Sequence, residues 1–163
     1  RAGSRWAEFK AGKCKDLHFA IPPVSKTTSA KQSPFAGWAD VRTHKLGVQL
    51  KGVAYKKSAG LDTIHVVLKH HGAETLTNEA GAMMSVTHAP RTVGFEYQVD
   101  SATGDITLNT KGDNLEGAKG DYAPIGPFAD WTLTIDPKLN IGLDLSGLTS
   151  IDLVFSGKAR PFA

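Results

Sequence analysis

The sequence predicts an all-β fold, a two-sheet antiparallel β-sandwich of jelly-roll-like character with about seven or eight strands. Three observations carry that expectation. Apolar residues recur at every second position in several short runs, and a period of two places them on one face of a strand. Turn-forming residues separate the runs, and the 17 glycines and 8 prolines among 163 residues exceed what a helical protein tolerates. No amphipathic helix longer than two turns is legible, so each sheet must cover its apolar face with another sheet.

The first 45 residues are the least regular and are expected to form an irregular N-terminal segment of a single domain spanning residues 1–163. Residues 17–21 suit a short strand, stopped by Pro22 and Pro23, which have no amide hydrogen for a ladder. Residues 25–33 are Ser, Thr, Lys, Gln and Ala, an exposed loop. Phe35 and Trp38 then mark a return toward the core. Leu46, Val48 and Leu50 form one alternating run and Ile64, Val66 and Leu68 a second. The basic loop between them, with Lys56 and Lys57, is short enough to join neighbouring antiparallel strands.

Residues 82–86 form a weaker strand candidate. Val93, Phe95, Tyr97 and Val99 alternate cleanly, and Asp100-Ser101-Ala102-Thr103-Gly104 leads into Ile106 and Leu108, the strongest hairpin signal in the chain. Residues 111–120 are glycine-rich and charged, a loop. The last pair of strands follows: Trp131, Leu133 and Ile135, then Ile151, Leu153 and Phe155, with Asp136-Pro137, Asn140, Gly142 and Ser146-Gly147 turning the chain between them. Trp131 shares the phase of Leu133 and Ile135 and is assigned to the core. The expected core adds Val48, Leu50, Ile64, Val66, Leu68, Phe95, Tyr97, Ile151, Leu153 and Phe155.

The formal net charge of +3 arises from 19 basic and 16 acidic residues spread along the chain, which does not build the dense basic patch of a nucleic-acid binder. No nucleic-acid partner is expected. Cys14 is the only cysteine, so neither an internal disulfide nor a cysteine-based zinc site is available. The apolar runs fall short of the ~20 residues of a spanning helix. The chain opens at Arg1 without an initiator methionine or an apolar leader and reads as a fragment or processed product of a larger protein.

Each candidate site in the sequence has a plainer reading beside it. His65, His70, His71 and His88 invite a metal hypothesis, but on a strand His65 and His71 stand about 20 Å apart, and His70 points to the opposite face. Solvated strand-end histidines are the simpler reading, and no metal or other cofactor is expected. Asp100, Asp105, Asp113, Glu116 and Asp121 lie in glycine-rich loops without a compact calcium pattern, so turn chemistry is the expected role. Cys14, flanked by Lys13 and Lys15, has no motif tying it to a histidine, and no serine sits in a G-x-S-x-G elbow. No catalytic residue is assigned. Trp6, Trp38, Tyr55 and Tyr122 fall in loops or at strand ends, where aromatic rings can stack on sugars. Trp38, Tyr122, Lys56 and Lys57 are therefore the candidate ligand or partner contacts.

Asp144-Leu145-Ser146-Gly147-Leu148-Thr149-Ser150-Ile151-Asp152-Leu153-Val154-Phe155, running on to Lys158-Ala159-Arg160, resembles the extreme C-terminus of the A subunits of Tc-type insecticidal toxin complexes. Those chains close with a similar aspartate-leucine-serine turn, an alternating strand and an alanine-arginine pair. Tyr122-Ala123-Pro124 and Gly126-Pro127-Phe128-Ala129-Asp130-Trp131-Thr132-Leu133 resemble the family's tyrosine-leucine-proline segment and tryptophan-x-leucine strand. A fainter similarity covers residues 45–68. There the sequence departs, with Ser58-Ala59-Gly60-Leu61-Asp62 in place of a glycine-proline-tyrosine turn, and Ser150 stands where an aspartate is common.

The resemblance implies a β-sandwich at the end of a large pore-forming subunit that contacts the β-propeller of the B component, which with the C component encloses a toxic enzyme. The expected function is then non-enzymatic protein–protein docking, with a B component or a parent-chain oligomer as partner, in a secreted or extracellular assembly. The alternative is a carbohydrate-binding sandwich whose loop aromatics hold a glycan.

Overall fold

A computed structural model of the protein describes residues 2–56, 63–99, 106–108 and 125–163. Along these residues run one helix, α1 (Ala2–Lys10), and ten strands: β1 (Asp16–Ala20), β2 (Trp38–Lys51), β3 (Ala54–Tyr55), β4 (Thr63–Thr77), β5 (Met83–Thr87), β6 (Arg91–Val99), β7 (Ile106–Leu108), β8 (Ala129–Thr134), β9 (Leu143–Asp144) and β10 (Ser150–Pro161). The all-β sandwich-like class is the one the alternation predicts. Its layers are unequal: a six-stranded antiparallel sheet in the order β1-β8-β4-β6-β7, with β5 also on β4, faces a two-stranded ribbon, β10-β2, and a small pair, β3-β9.

β4 is the spine of the large sheet. Val67–His70 and Glu74 pair with β8, while on β4's other partners Thr63–His70 face β6 and Ala73–Thr77 face β5. β5 and β6 thus take successive stretches of one strand, and residues 88–90 form the step between them. Gly72 lies opposite that step with φ +99°, and a Cβ there would stand 2.2 Å from the His88 carbonyl oxygen. Only glycine allows this close approach, in which the His88 N–H donates to the Gly72 carbonyl at 2.9 Å. Every even-numbered side chain of β4 from Ile64 to Leu76 is on the buried face.

The ribbon covers that face. Leu46 and Val48 of β2 are fully buried among Ile64, Val66, Leu68, Phe95, Tyr97, Trp131, Leu133 and Ile135, and Leu50, Ile151, Leu153 and Phe155 pack at its margin, half-buried. Burying each such aliphatic chain contributes about 1.5–3 kcal/mol. The Tyr97 hydroxyl donates to the Val48 carbonyl and so ties sheet to ribbon in the middle of the core. Burial pushes the Tyr97 phenol well above its ordinary range, which keeps it a neutral donor. The turn after β8 is fixed by buried Asn140, whose side chain accepts from the His65 N–H at 2.7 Å and donates to the His65 carbonyl at 3.0 Å.

Several expectations are corrected here. The runs at 46–50 and 64–68 are not neighbours in one sheet: β2 pairs with β10 (Leu50↔Ile151, Leu46↔Phe155), so the connection between β2 and β4 changes layers. The last two strands also separate, β8 lying between β1 and β4 and β10 lying on β2. The N-terminal 45 residues are irregular only in part. α1 sends Phe9 into the core, β1 pairs with β8, and β2 begins at Trp38. The predicted loop over residues 25–33 is present and largely exposed. β6 and β7 pair antiparallel, Val99 opposite Ile106, as the hairpin signal requires. Its turn, the acidic positions 100, 105, 113, 116 and 121, and the loop over residues 111–120 lie outside the described residues.

Candidate functional site

The ribbon bends because β2 carries more residues than β10 over the same length. Ser156 faces Lys45 but Gly157 faces Thr43, and Lys158 faces Arg42 whereas Arg160 faces Ala39. Each shift sets one more residue of β2 than of β10 against the same stretch and turns the strand. Gly157 is required at the first bulge, since a Cβ there would lie 1.8 Å from the Arg42 carbonyl oxygen. Near the second, Asp40 adopts φ +48°, a left-handed conformation that Asp tolerates better than most residues. The bend also inverts the phase of β2, so that Ala39, Val41 and Thr43 are buried before it and Leu46 and Val48 after it.

The bent ribbon opens a cleft of about 860 Å³ between β2, β10 and the Pro34-Phe35 turn. Trp38 stands on its wall with 47% of its surface exposed. Arg42, Lys158 and Arg160 bring positive charge to the same cleft and Asp40 negative charge. Arg42 is held at 3.1 Å from Asp40, and Arg160 donates to Glu79 at 2.9 Å. An aromatic plate beside fixed hydrogen-bonding groups suits a sugar or an acidic side chain of a partner.

Of the residues that sequence reasoning singled out, Trp38 and Lys56 are described, and Trp38 reaches this cleft. Lys56 is exposed just after β3, where its N–H donates to the Gly142 carbonyl at 2.8 Å, and it does not line the cleft. Lys57 and Tyr122 lie outside the described residues. Trp6 is on α1, stacked on Phe9 with ring centroids 6.4 Å apart, and Tyr55 is half-buried against the core. Trp131 is 1% exposed, and its indole N–H donates to the Pro127 carbonyl at 2.9 Å.

A second cluster lies where β4, the 88–90 step and residue 126 meet. His70 is fully buried, a correction to its reading as a solvated strand-end histidine; His65 is half-buried, while His71 is exposed and bonded to the Thr132 hydroxyl at 2.7 Å. His70 and Glu74 continue the buried phase of Ile64, Val66 and Leu68, so both point inward. The rings of His70 and His88 come within 4.9 Å, and the His70 ring meets Trp131 edge-on at 4.8 Å. Glu74 Oε2 accepts the Gly126 N–H at 2.9 Å and stands 3.4 Å from His70 Nε2 and 3.1 Å from His88 Nε2. Arg42 reaches its other oxygen at 3.8 Å.

Burial, the largest single influence, pushes the Glu74 carboxyl upward. The hydrogen bonds from His70, from the Gly126 N–H and from His88 together outweigh it and hold the group below its ordinary value. Glu74 is therefore a buried carboxylate with its oxygens satisfied.

The nitrogen and oxygen atoms of His70, Glu74 and His88 lie within 4.8 Å of one another, close enough to surround a metal ion. The hydrogen-bond polarity at His70 opposes that use. A metal-bound imidazole donates its second nitrogen's hydrogen to an acceptor, whereas His70 Nδ1 receives the Gly72 N–H at 2.9 Å. Arg42 also brings a positive charge to the carboxylate a cation would need. The arrangement is a hydrogen-bonded acid–base network.

The parity of β4 was readable in the sequence and assigns His70 and Glu74 to the core face. Nothing local in the sequence brings His88 to them, because the step at 88–90 exists only through the pairing with Gly72. No protein-family model, curated protein or solved structure matches the chain.

Proposed function

We propose that this chain is a non-enzymatic docking module that attaches a larger subunit to a protein partner through the β2–β10 ribbon. The observation that carries the reading is the position of the block resembling the end of Tc-type A subunits. Residues 143–161 make β9, the turn after it and the whole of β10, whose only strand partner among the described residues is β2. From Ser156 to Pro161 the strand is exposed, and Val154 is 45% exposed on its outer face. A strand with one neighbour offers backbone donors and acceptors to an added strand, and its outward side chains supply specificity. The partner that the resemblance implies is a B-type β-propeller component.

Capture of a matched B-type component by the immobilised chain tests this. Saturable capture that is lost on Val154→Glu, with the variant's circular dichroism unchanged, supports docking through the ribbon. A folded chain that captures no such component removes the proposal.

The cleft favours a second reading, carbohydrate binding, because Trp38 presents an exposed ring beside Asp40, Arg42 and Lys158. A glycan array separates the two. Saturable binding abolished by Trp38→Ala supports a lectin, and an array without hits removes it.

A further inference from the structure

His88 makes two contacts that a neutral ring cannot make together. Its Nδ1 lies 2.8 Å from the Ala89 carbonyl oxygen and its Nε2 lies 3.1 Å from Glu74 Oε2. Both partners are acceptors. A neutral imidazole carries one N–H and would turn a nitrogen lone pair toward one of the oxygens, whereas an imidazolium donates to both. His70 shows the opposite pattern: Nδ1 faces the Gly72 N–H donor, and Nε2 faces the Gly126 carbonyl at 3.1 Å and Glu74 at 3.4 Å. The neutral ring with its hydrogen on Nε2 satisfies each of those partners. Two histidines on one carboxylate thus face different sets of partners: His88 has an acceptor at each ring nitrogen, and His70 has a donor at Nδ1 and acceptors at Nε2.

We propose that His88 and Glu74 form a proton-operated latch that fastens the 88–90 step, β4 and the chain at Gly126 to one another, and that loss of the His88 proton releases the step. In the closed state the imidazolium binds Ala89 on its own segment and Glu74 on β4, and the same Glu74 oxygen holds the Gly126 N–H. His88 is 28% exposed at its side chain while Glu74 and His70 are buried, so the proton enters and leaves through His88.

The groups facing the pair among the described residues are Glu74 and His70 from β4, Arg42 from β2, and the backbone of Gly126. When His88 loses its charge, Arg42 remains as the full cation beside Glu74. Arg42 also holds Asp40 in the cleft at 3.1 Å, so opening the latch draws on a side chain of the cleft wall. The release accordingly reaches β2 as well as the 88–90 step.

Side-chain nitrogen NMR of the ¹⁵N-histidine-labelled full chain, followed from about pH 5 to about pH 9 across the ordinary histidine range, tests the latch. The expected result is that His88 passes from two N–H groups to one while His70 keeps its single N–H on Nε2. The backbone amides of Gly72, Ala89 and Gly126 shift along the same titration curve. In His88→Gln, a change at a partly exposed position, that shared curve disappears from all three amides. A His88 that holds one neutral tautomer throughout the range overturns the proposal, as do amides that titrate unchanged in His88→Gln. Stoichiometric zinc binding that moves both histidine rings would also overturn it, by replacing the latch with a metal centre.

Discussion

The six-stranded sheet and the β2–β10 ribbon are built from similar alternating sequence, yet they bury it to different degrees. β4 has partners on both sides and an unbroken buried face from Ile64 to Leu76. Among the described residues β10 has one strand partner, and it has two register breaks and no fully buried residue along its length. The large sheet stores stability in continuous packing. The ribbon gives up part of that packing to bulges, and the bend opens a cleft and leaves an edge. Rigid packing on one layer and an open strand on the other is a common division between scaffold and recognition surface.

The sharpest way to break the comparison is to truncate a buried side chain of the sheet and an outward one of the ribbon. Trp131→Ala removes a ring that is 1% exposed and contacts His70 and Phe155, and it is expected to cost about 3–5 kcal/mol in urea unfolding. Val154→Ala, on the ribbon's outer face, should stay within about 0.5 kcal/mol of the parent. Equal losses would show that the ribbon is as tightly integrated as the sheet.

A smaller effect is expected from the bulge. Gly157→Val places carbon against the Arg42 carbonyl and should cost about 1–3 kcal/mol, with backbone amide shifts confined to β2 and the end of β10. If shifts spread through β4 and β6, the bend is not a local property of the ribbon.

Glu74→Gln probes the joint between the layers. Removing a buried acceptor of several hydrogen bonds should cost about 1–3 kcal/mol near neutral pH. The carboxyl is held below its ordinary value in the fold, so its contribution is fully present above about pH 4.3, the usual unfolded value for glutamate. That contribution fades as pH falls through the lower folded value. Unfolding measured across acidic pH should therefore lose part of its slope in Glu74→Gln. The smallest effect belongs to the ribbon surface, where Lys51 and Asp152 pair at 2.7 Å in solvent. Asp152→Asn should leave the thermal midpoint nearly unchanged.

Sequence reasoning read the large sheet better than the ribbon, for a physical reason. In β4, β6 and β8 the buried phase holds along the strand, so Ile64, Phe95 and Trp131 announce their faces. In β2 the phase inverts between Thr43 and Leu46, and a reading by alternation starts the strand at Leu46 although it begins at Trp38. Partner choice was not legible either, because β2 and β4 follow each other closely in sequence while β2 and β10 are far apart. α1 was missed because nine residues give little periodic signal, only Trp6 and Phe9 marking its inner side. At the candidate sites, Trp38 stands out by its residue type, and the fold places it on the cleft wall. The network at Glu74 escaped because polar residues on a core face were read as exposed, and His88 reaches it through tertiary pairing.

Docking through the ribbon is tested most directly by hydrogen exchange followed by mass spectrometry, with and without a matched B-type propeller component. Slowed exchange in residues 150–161 and 38–44 is expected on adding the partner, with β4, β6 and β8 unchanged. Protection confined to the large sheet, or no protection anywhere with the partner at saturating concentration, would contradict docking through the ribbon.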